Sequence, residues 1–208
     1  MPRVDQRSKT SVKPLPPVDA KGLLQLVGKT PLLPLSTIQR GMPGVRLLAK
    51  AAWFNPGGSV KDRAAASIIA EVEASGRLTD GMALLDASSG NTAVAYAMIA
   101  AAKGYRTTLC VPNNANPQVI ANLKAYRAEL VFTDPLLGSD GAIREARRLA
   151  AAFPDNFLFV GQFNNPVNWL AGVLIGVLSG LMGIGGGVLN NTYMTLHSRP
   201  CCPPRGHR

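Results

Sequence analysis

Between Val45 and Val160 short apolar runs alternate with longer stretches of helical periodicity, and this alternation restricts the chain to β-α-β units built on a parallel sheet. Strands are predicted over residues 45–50, 82–86, 107–111, 129–132 and 157–160, with helices over 59–74, 91–103, 117–126 and 140–152 between them. Gly76 and Gly104 are placed to act as helix C-caps, and Asp140 as an N-cap. The strand-to-helix connections follow one another closely enough that a doubly wound parallel α/β domain is the expected architecture.

Size and charge narrow the reading further. A chain of 208 residues holds one ordinary domain, or one domain plus a small appendage, and excludes two large ones. With 47% hydrophobic and 16% charged residues, it is expected to be globular or partly membrane-embedded rather than disordered. The net charge of +10 invites a nucleic-acid reading. Its basic residues, however, cluster only at the ends (Arg3, Arg7, Lys9 and Lys13; Arg199, Arg205 and Arg208), and no basic stripe interleaves with aromatics. Specific nucleic-acid binding is therefore not expected; non-specific binding by the basic termini is a minor alternative. Three cysteines, Cys110, Cys201 and Cys202, give no disulfide framework, which points to a reducing, cytoplasmic compartment.

Four segments follow from these patterns: a disordered basic leader over 1–20, the α/β domain over 21–169, a hydrophobic, transmembrane-like segment over 170–197, and a disordered tail over 198–208. Residues 170–189 run without charge or proline for the length of a bilayer core, and Gly172, Gly176 and Gly180 place small residues on one helix face. A buried helix in a soluble core is the alternative. The glycines of this run would weaken such a helix by roughly 1 kcal/mol each relative to alanine.

Two constellations carry chemistry. Asn55-Pro56-Gly57-Gly58-Ser59-Val60-Lys61-Asp62-Arg63 is a glycine turn that opens a helix with Lys61 in its first turn. The field of a helix N-terminus, combined with burial, favours a neutral amine, which Schiff-base chemistry requires. The alternative is a surface lysine tolerated by Asp62. Asp86-Ala87-Ser88-Ser89-Gly90-Asn91-Thr92 is a strand end followed by a small-residue turn, where hydroxyls and free N–H groups converge on a place that suits an anion. The alternative here is a plain N-cap made by Ser and Asn.

The first constellation resembles the cofactor-lysine motif of the cysteine synthase and cystathionine β-synthase family of pyridoxal-phosphate (PLP) enzymes, and the second resembles that family's Thr-Ser-Gly-Asn-Thr loop. Gly28-Lys29-Thr30-Pro31-Leu32 is similar to the family's Gly-Asn-Thr-Pro-Leu, and Gln162 in Gly161-Gln162-Phe163-Asn164-Asn165-Pro166 matches a family glutamine. The resemblance implies the small domain of PLP fold type II, the tryptophan synthase β-like fold, with the larger domain incomplete. It implies that Lys61 forms the Schiff base with PLP and moves the substrate α-proton. Asn91 inherits a contact to the PLP 3′-oxygen. Ser88, Ser89, Gly90, Thr92 and Gln162 inherit the grip on the substrate carboxylate. Ser88 stands where the family usually has Thr, and Ala93 where Gly is usual. The implied reaction is β-replacement on an activated serine by a thiol nucleophile, a transferase or lyase activity of cysteine biosynthesis. No metal is implied; the partners expected are the amino-acid substrate and the thiol, a second copy of the chain as a homodimer, and a membrane through 170–189.

The family continues beyond Trp169 with a glycine-rich phosphate loop, a serine near the pyridine nitrogen and most of a larger domain, and these are expected to be missing here, which would impair activity. Residues 172–200 look instead like part of the sulfite/taurine-exporter permease family, whose hairpin helices carry a turn like Gly183-Ile184-Gly185-Gly186-Gly187. A second reading therefore treats the chain as a non-catalytic, membrane-tethered remnant or fusion fragment.

Overall fold

The computed structural model describes residues 21–41, 44–166 and, as backbone, 194–198. In chain order the elements are α1 (Lys21–Gln25), β1 (Leu32–Pro34), α2 (Ser36–Gln39), β2 (Val45–Lys50), α3 (Lys61–Ala74), β3 (Ala83–Ala87), α4 (Asn91–Lys103), β4 (Arg106–Pro112), α5 (Pro117–Ala125), β5 (Glu129–Thr133), α6 (Gly138–Ala152), β6 (Phe157–Phe159) and β7 (Met194–Ser198). The leader, most of the apolar segment 170–197 and the tail beyond Ser198 lie outside the described residues, as does the turn 183–187. Among the described residues no helix is long and apolar enough to cross a membrane.

Four strands form one parallel sheet in the order β5-β4-β3-β6. All five residues of β3 are buried, and so are the last six of β4, as expected of central parallel strands covered on both faces. Side chains alternate between the layers. Leu84, Leu109 and Val111 pack towards α3, α4 and α5, whereas Leu85, Ala87 and Cys110 pack towards α6. The domain is doubly wound, as its periodicity predicts.

The helices differ in pattern because they differ in position. On α4 nine consecutive residues, Thr92 to Ala100, are buried, and the helix is apolar nearly all round because α3, α5 and the sheet surround it. Its many alanines allow that close approach. By contrast α6 buries only one stripe, Gly141, Ala142, Ala146 and Leu149, against β3 and β4.

Three expectations need correction. The strand at 45–50 does not join the parallel sheet; β2 pairs antiparallel with β1, through Leu33 opposite Ala49, and with β7 on its other edge. Only ten residues separate β1 from β2, too few for the crossover a parallel pair requires. Asp140 does not cap α6, because the helix starts two residues earlier, at Gly138, with Leu137 before it. Gly104 does cap α4 in the left-handed conformation, but the cap of α3 is Ser75 and Gly76 follows it.

Ile69, fully buried between α3 and α4, should be among the costliest side chains to truncate. Ile69→Ala is expected to lower stability in chemical denaturation by about 2–5 kcal/mol. Leu136→Ala, at a side chain 91% exposed, should stay within about 0.5 kcal/mol of the parent.

Candidate active site

From β3 the chain winds through β4 to β5, and α6 then carries it back across the other face to β6, on the opposite edge of β3. The carboxyl ends of β3 and β6 thus lie side by side, in the kind of position where open α/β sheets bind ligands. A cleft of about 260 Å³ lies there, lined by Lys61, Ser88, Ser89, Gly90, Thr92 and Gln162, with Ser139 among the residues opposite. Six of the seven site residues expected from the sequence thus meet on one cleft. Asn91 does not line it; this first residue of α4 is exposed.

Lys61 is presented by a tightly braced turn. Gly57 donates its N–H to the carboxylate of Asp62, which is fully buried at the head of α3. A side chain at residue 57 would put a Cβ 2.5 Å from Asp62 Oδ1, so only glycine permits this approach. Gly58 then takes φ +80°, a left-handed conformation that disfavours other residues, and donates to the Asn55 carbonyl at 2.8 Å. Burial raises the Asp62 pKa, against the opposing effect of the N–H groups of Gly57 and Asp62 itself.

The same turn clamps the Gly28–Leu32 motif. Asn55 Oδ1 accepts the Gly28 N–H at 2.8 Å, and Arg63 Nη2 donates to the Gly28 carbonyl at 2.8 Å and to Thr30 Oγ1 at 3.3 Å. Lys50 donates to the Thr30 carbonyl, and burial together with the neighbouring Arg63 charge lowers its pKa. Lys61 stands at the first position of α3, as expected, but its side chain is exposed. The burial expected for it is absent, because it borders an open cleft rather than the core.

The opposite wall is the turn between β3 and α4. Gly90 is the N-cap residue of α4, and no side chain caps the helix. The plain Ser/Asn cap is therefore not formed, and the first-turn N–H groups keep no intrahelical partner. Ser88 Oγ stands only within a long 3.5 Å of the Gly90 N–H, and Thr92, nine-tenths buried as a residue, still lines the cleft. This set of donors is suited to an anion.

Asp86, a carboxylate near the end of the otherwise apolar β3, has no role assigned by the sequence motifs. Its side chain is 2% exposed and accepts the Ala87 N–H at 2.7 Å and the Gln162 N–H at 3.1 Å, while Gln162 Nε2 donates to the Ala87 carbonyl at 3.0 Å. Burial pushes the Asp86 pKa up to about 6, with the two N–H groups opposing. The buried Tyr96 hydroxyl lies beside it without a hydrogen bond of normal geometry, and burial and this carboxylate raise its pKa. Burial lifts the nearby Cys110 thiol to about 12, with Glu145 and Asp86 adding to the shift. Both the carboxylate at the end of a wholly apolar strand and Gly138-Ser139 at a helix start were signals visible in the sequence. Among the described residues no cluster of His, Cys, Asp or Glu could hold a metal.

The model of the family described as "Pyridoxal-phosphate dependent enzyme" matches residues 23–177. The chain belongs to that family. The family match continues past Trp169 into the apolar run. Among curated relatives, the chain is 42% identical over 151 residues to the cysteine synthase of Aquifex aeolicus (strain VF5), covering 72% of this chain and 46% of the relative. It is 44% identical over 148 residues to cysteine synthase B of Escherichia coli (strain K12), covering 70% and 47%. Among solved structures, a cysteine synthase from Entamoeba histolytica superposes with a TM-score of 0.66 at 32% identity, covering 76% of this chain and 49% of the other. An O-ureido-L-serine synthase gives 0.66 at 34% identity, covering 78% and 51%. The chain spans about half the length of these relatives, and the cofactor of its family is pyridoxal phosphate.

The raised pKa of Asp86 sets a pH dependence of stability. A carboxyl that titrates near 6 when folded and near 3.8 when unfolded contributes stability fully present below about pH 4 and lost as pH rises through 6. Denaturation midpoints measured across that window should fall by the equivalent of about 3 kcal/mol from this group, and Asp86→Asn should remove that component.

Proposed function

We propose that this chain forms the cofactor-lysine and substrate-carboxylate side of a PLP-dependent β-replacement site of the cysteine synthase kind. The observation that carries the reading is the meeting of Lys61, Ser88, Ser89, Gly90, Thr92 and Gln162 on one cleft. The residues present fit the cofactor and its substrate: an amine stands at the edge of the cleft, and Thr92 lines the same cleft at a helix start that no side chain caps.

Pyridoxal phosphate, when bound, supplies an aldehyde that reacts with amines and a ring that withdraws electrons from the substrate α-carbon. The chain's own groups do the rest. Lys61 Nζ would hold the cofactor and would serve as the general base for the substrate α-proton. The N–H groups and hydroxyls of Ser88, Ser89, Gly90 and Thr92 bind the amino-acid carboxylate, and the Gln162 amide adds a further donor. Asn91, one residue into α4, is the candidate contact for the cofactor 3′-oxygen and would have to turn inwards to make it. The substrate class is a serine activated at its β-oxygen, and the nucleophile a thiol, sulfide or homocysteine.

A direct test mixes the full chain with PLP. A new visible absorbance should appear, borohydride should fix the added mass on the peptide containing Lys61, and Lys61→Ala should show neither. Cysteine formation from O-acetyl-L-serine and sulfide should fall at least a hundredfold in that variant. An absorbance that persists unchanged without Lys61, or never appears in the parent, overturns the assignment.

A further inference from the structure

Beyond the groups that would touch substrate, one side chain fixes how the two halves of the cleft sit together. Pairing between β3 and β6 runs as far as Leu85 opposite Phe159, and the Val160 N–H still reaches the Leu85 carbonyl at 3.0 Å. At Gly161, φ +55° turns the chain out of the strand, and backbone pairing cannot continue. From there the Asp86 carboxylate takes over as acceptor. Oδ2 receives the Gln162 N–H and Oδ1 the Ala87 N–H, so one side chain ties the turn after β6 to the end of β3.

We propose that Asp86 is a positioning residue: its carboxylate latches the Gln162 turn onto the end of β3 and so sets where the Gln162 amide meets an amino-acid carboxylate. The ligand half of this statement rests on the function proposed above, whereas the latch stands on the fold alone. Both oxygens accept, so the latch requires the ionised carboxylate; an amide of the same shape offers one acceptor and turns an N–H donor towards the other N–H. The latch is also isolated from competing charge. Among the described residues, the titratable groups acting on Asp86 or on its neighbour Cys110 are Tyr96 from α4, Cys110 from β4, and Glu145 and Arg148 from α6, and no cation contacts the carboxylate itself. Burial without a cationic partner makes Asp86 titrate near pH 6, so mild acidification should release the turn.

Two measurements on the full chain test this. In a ¹⁵N-labelled sample without cofactor, the Ala87 and Gln162 amide protons should shift together between pH 4.5 and 8 with a shared midpoint near 6 and stay flat in Asp86→Asn. A Gln162 amide that exchanges with solvent as fast in the folded parent as in Asp86→Asn at pH 8 overturns the latch, whatever the midpoint. In PLP-loaded protein titrated with L-alanine, an amino acid with no leaving group, Asp86→Asn should weaken alanine binding about tenfold while PLP uptake stays within about twofold. Equal alanine affinity in parent and variant overturns the positioning role. A parent that takes up no PLP but protects the Gln162 amide through Asp86 defeats the proposed function and leaves the latch standing; uptake with a Gln162 amide indifferent to Asp86→Asn does the reverse.

Discussion

Strand β3 has a neighbour on each edge and helices on each face, and the geometry of the cleft follows from that position. A strand paired on both sides cannot shift register without breaking two ladders, and a shift of one residue would exchange Leu84 and Asp86 with Leu85 and Ala87 between the layers. That exchange would move the Asp86 carboxylate from the side of α4 to the apolar surface under α6. Register, core composition and the place where the chain leaves β3 are thus one constraint, and the 88–92 turn inherits its location from it.

Lys61 depends on a second, more local constraint. Its turn is built from two buried polar groups, Asn55 and Asp62, and the half-buried Arg63, each paired with backbone of a segment that the apolar core barely reaches. The net worth of each bond is only about 1 kcal/mol, but a buried donor or acceptor that loses its partner costs the full desolvation of that group. Such a set contributes definition more than stability. It fixes the head of α3 against residues 28–30, and thereby fixes the direction from which the amine approaches the cleft.

Much of this was legible in the residues. The α4 span and the β2 span coincide with those read from periodicity, and the other central strands and helices differ at their ends by one or two residues, because central parallel strands and their helices carry unbroken apolar patterns. The partnership of β2 was not legible, since its partner β1 is three residues long, bounded by Pro31 and Pro34, and has no alternation to find. The six cleft-lining site residues were legible as motifs, and their convergence was not. It depends on β6 returning beside β3 rather than extending the sheet beyond β5, which no local pattern encodes. The exposure of Lys61 was also hidden, because sequence places a residue on a helix terminus without saying which wall that terminus faces.

The cleft combines firm positioning with an open environment, and the two properties have different origins. Positioning comes from the strand ladder, the buried clamp and the Asp86 bridge, all of which lie beneath the surface. Dielectric environment comes from whatever covers the opening. At a solvent-exposed site the attraction between Lys61 or the α4 N-terminus and an anion is screened to a few kcal/mol at most, whereas the same groups at the same distances act several times more strongly once water is displaced. On the proposed function, the described residues would set where an amino-acid carboxylate and a cofactor aldehyde are held. How strongly they are held depends on exclusion of water, so any group that occupies the cleft beside a bound carboxylate would strengthen its hold without any change in the protein contacts.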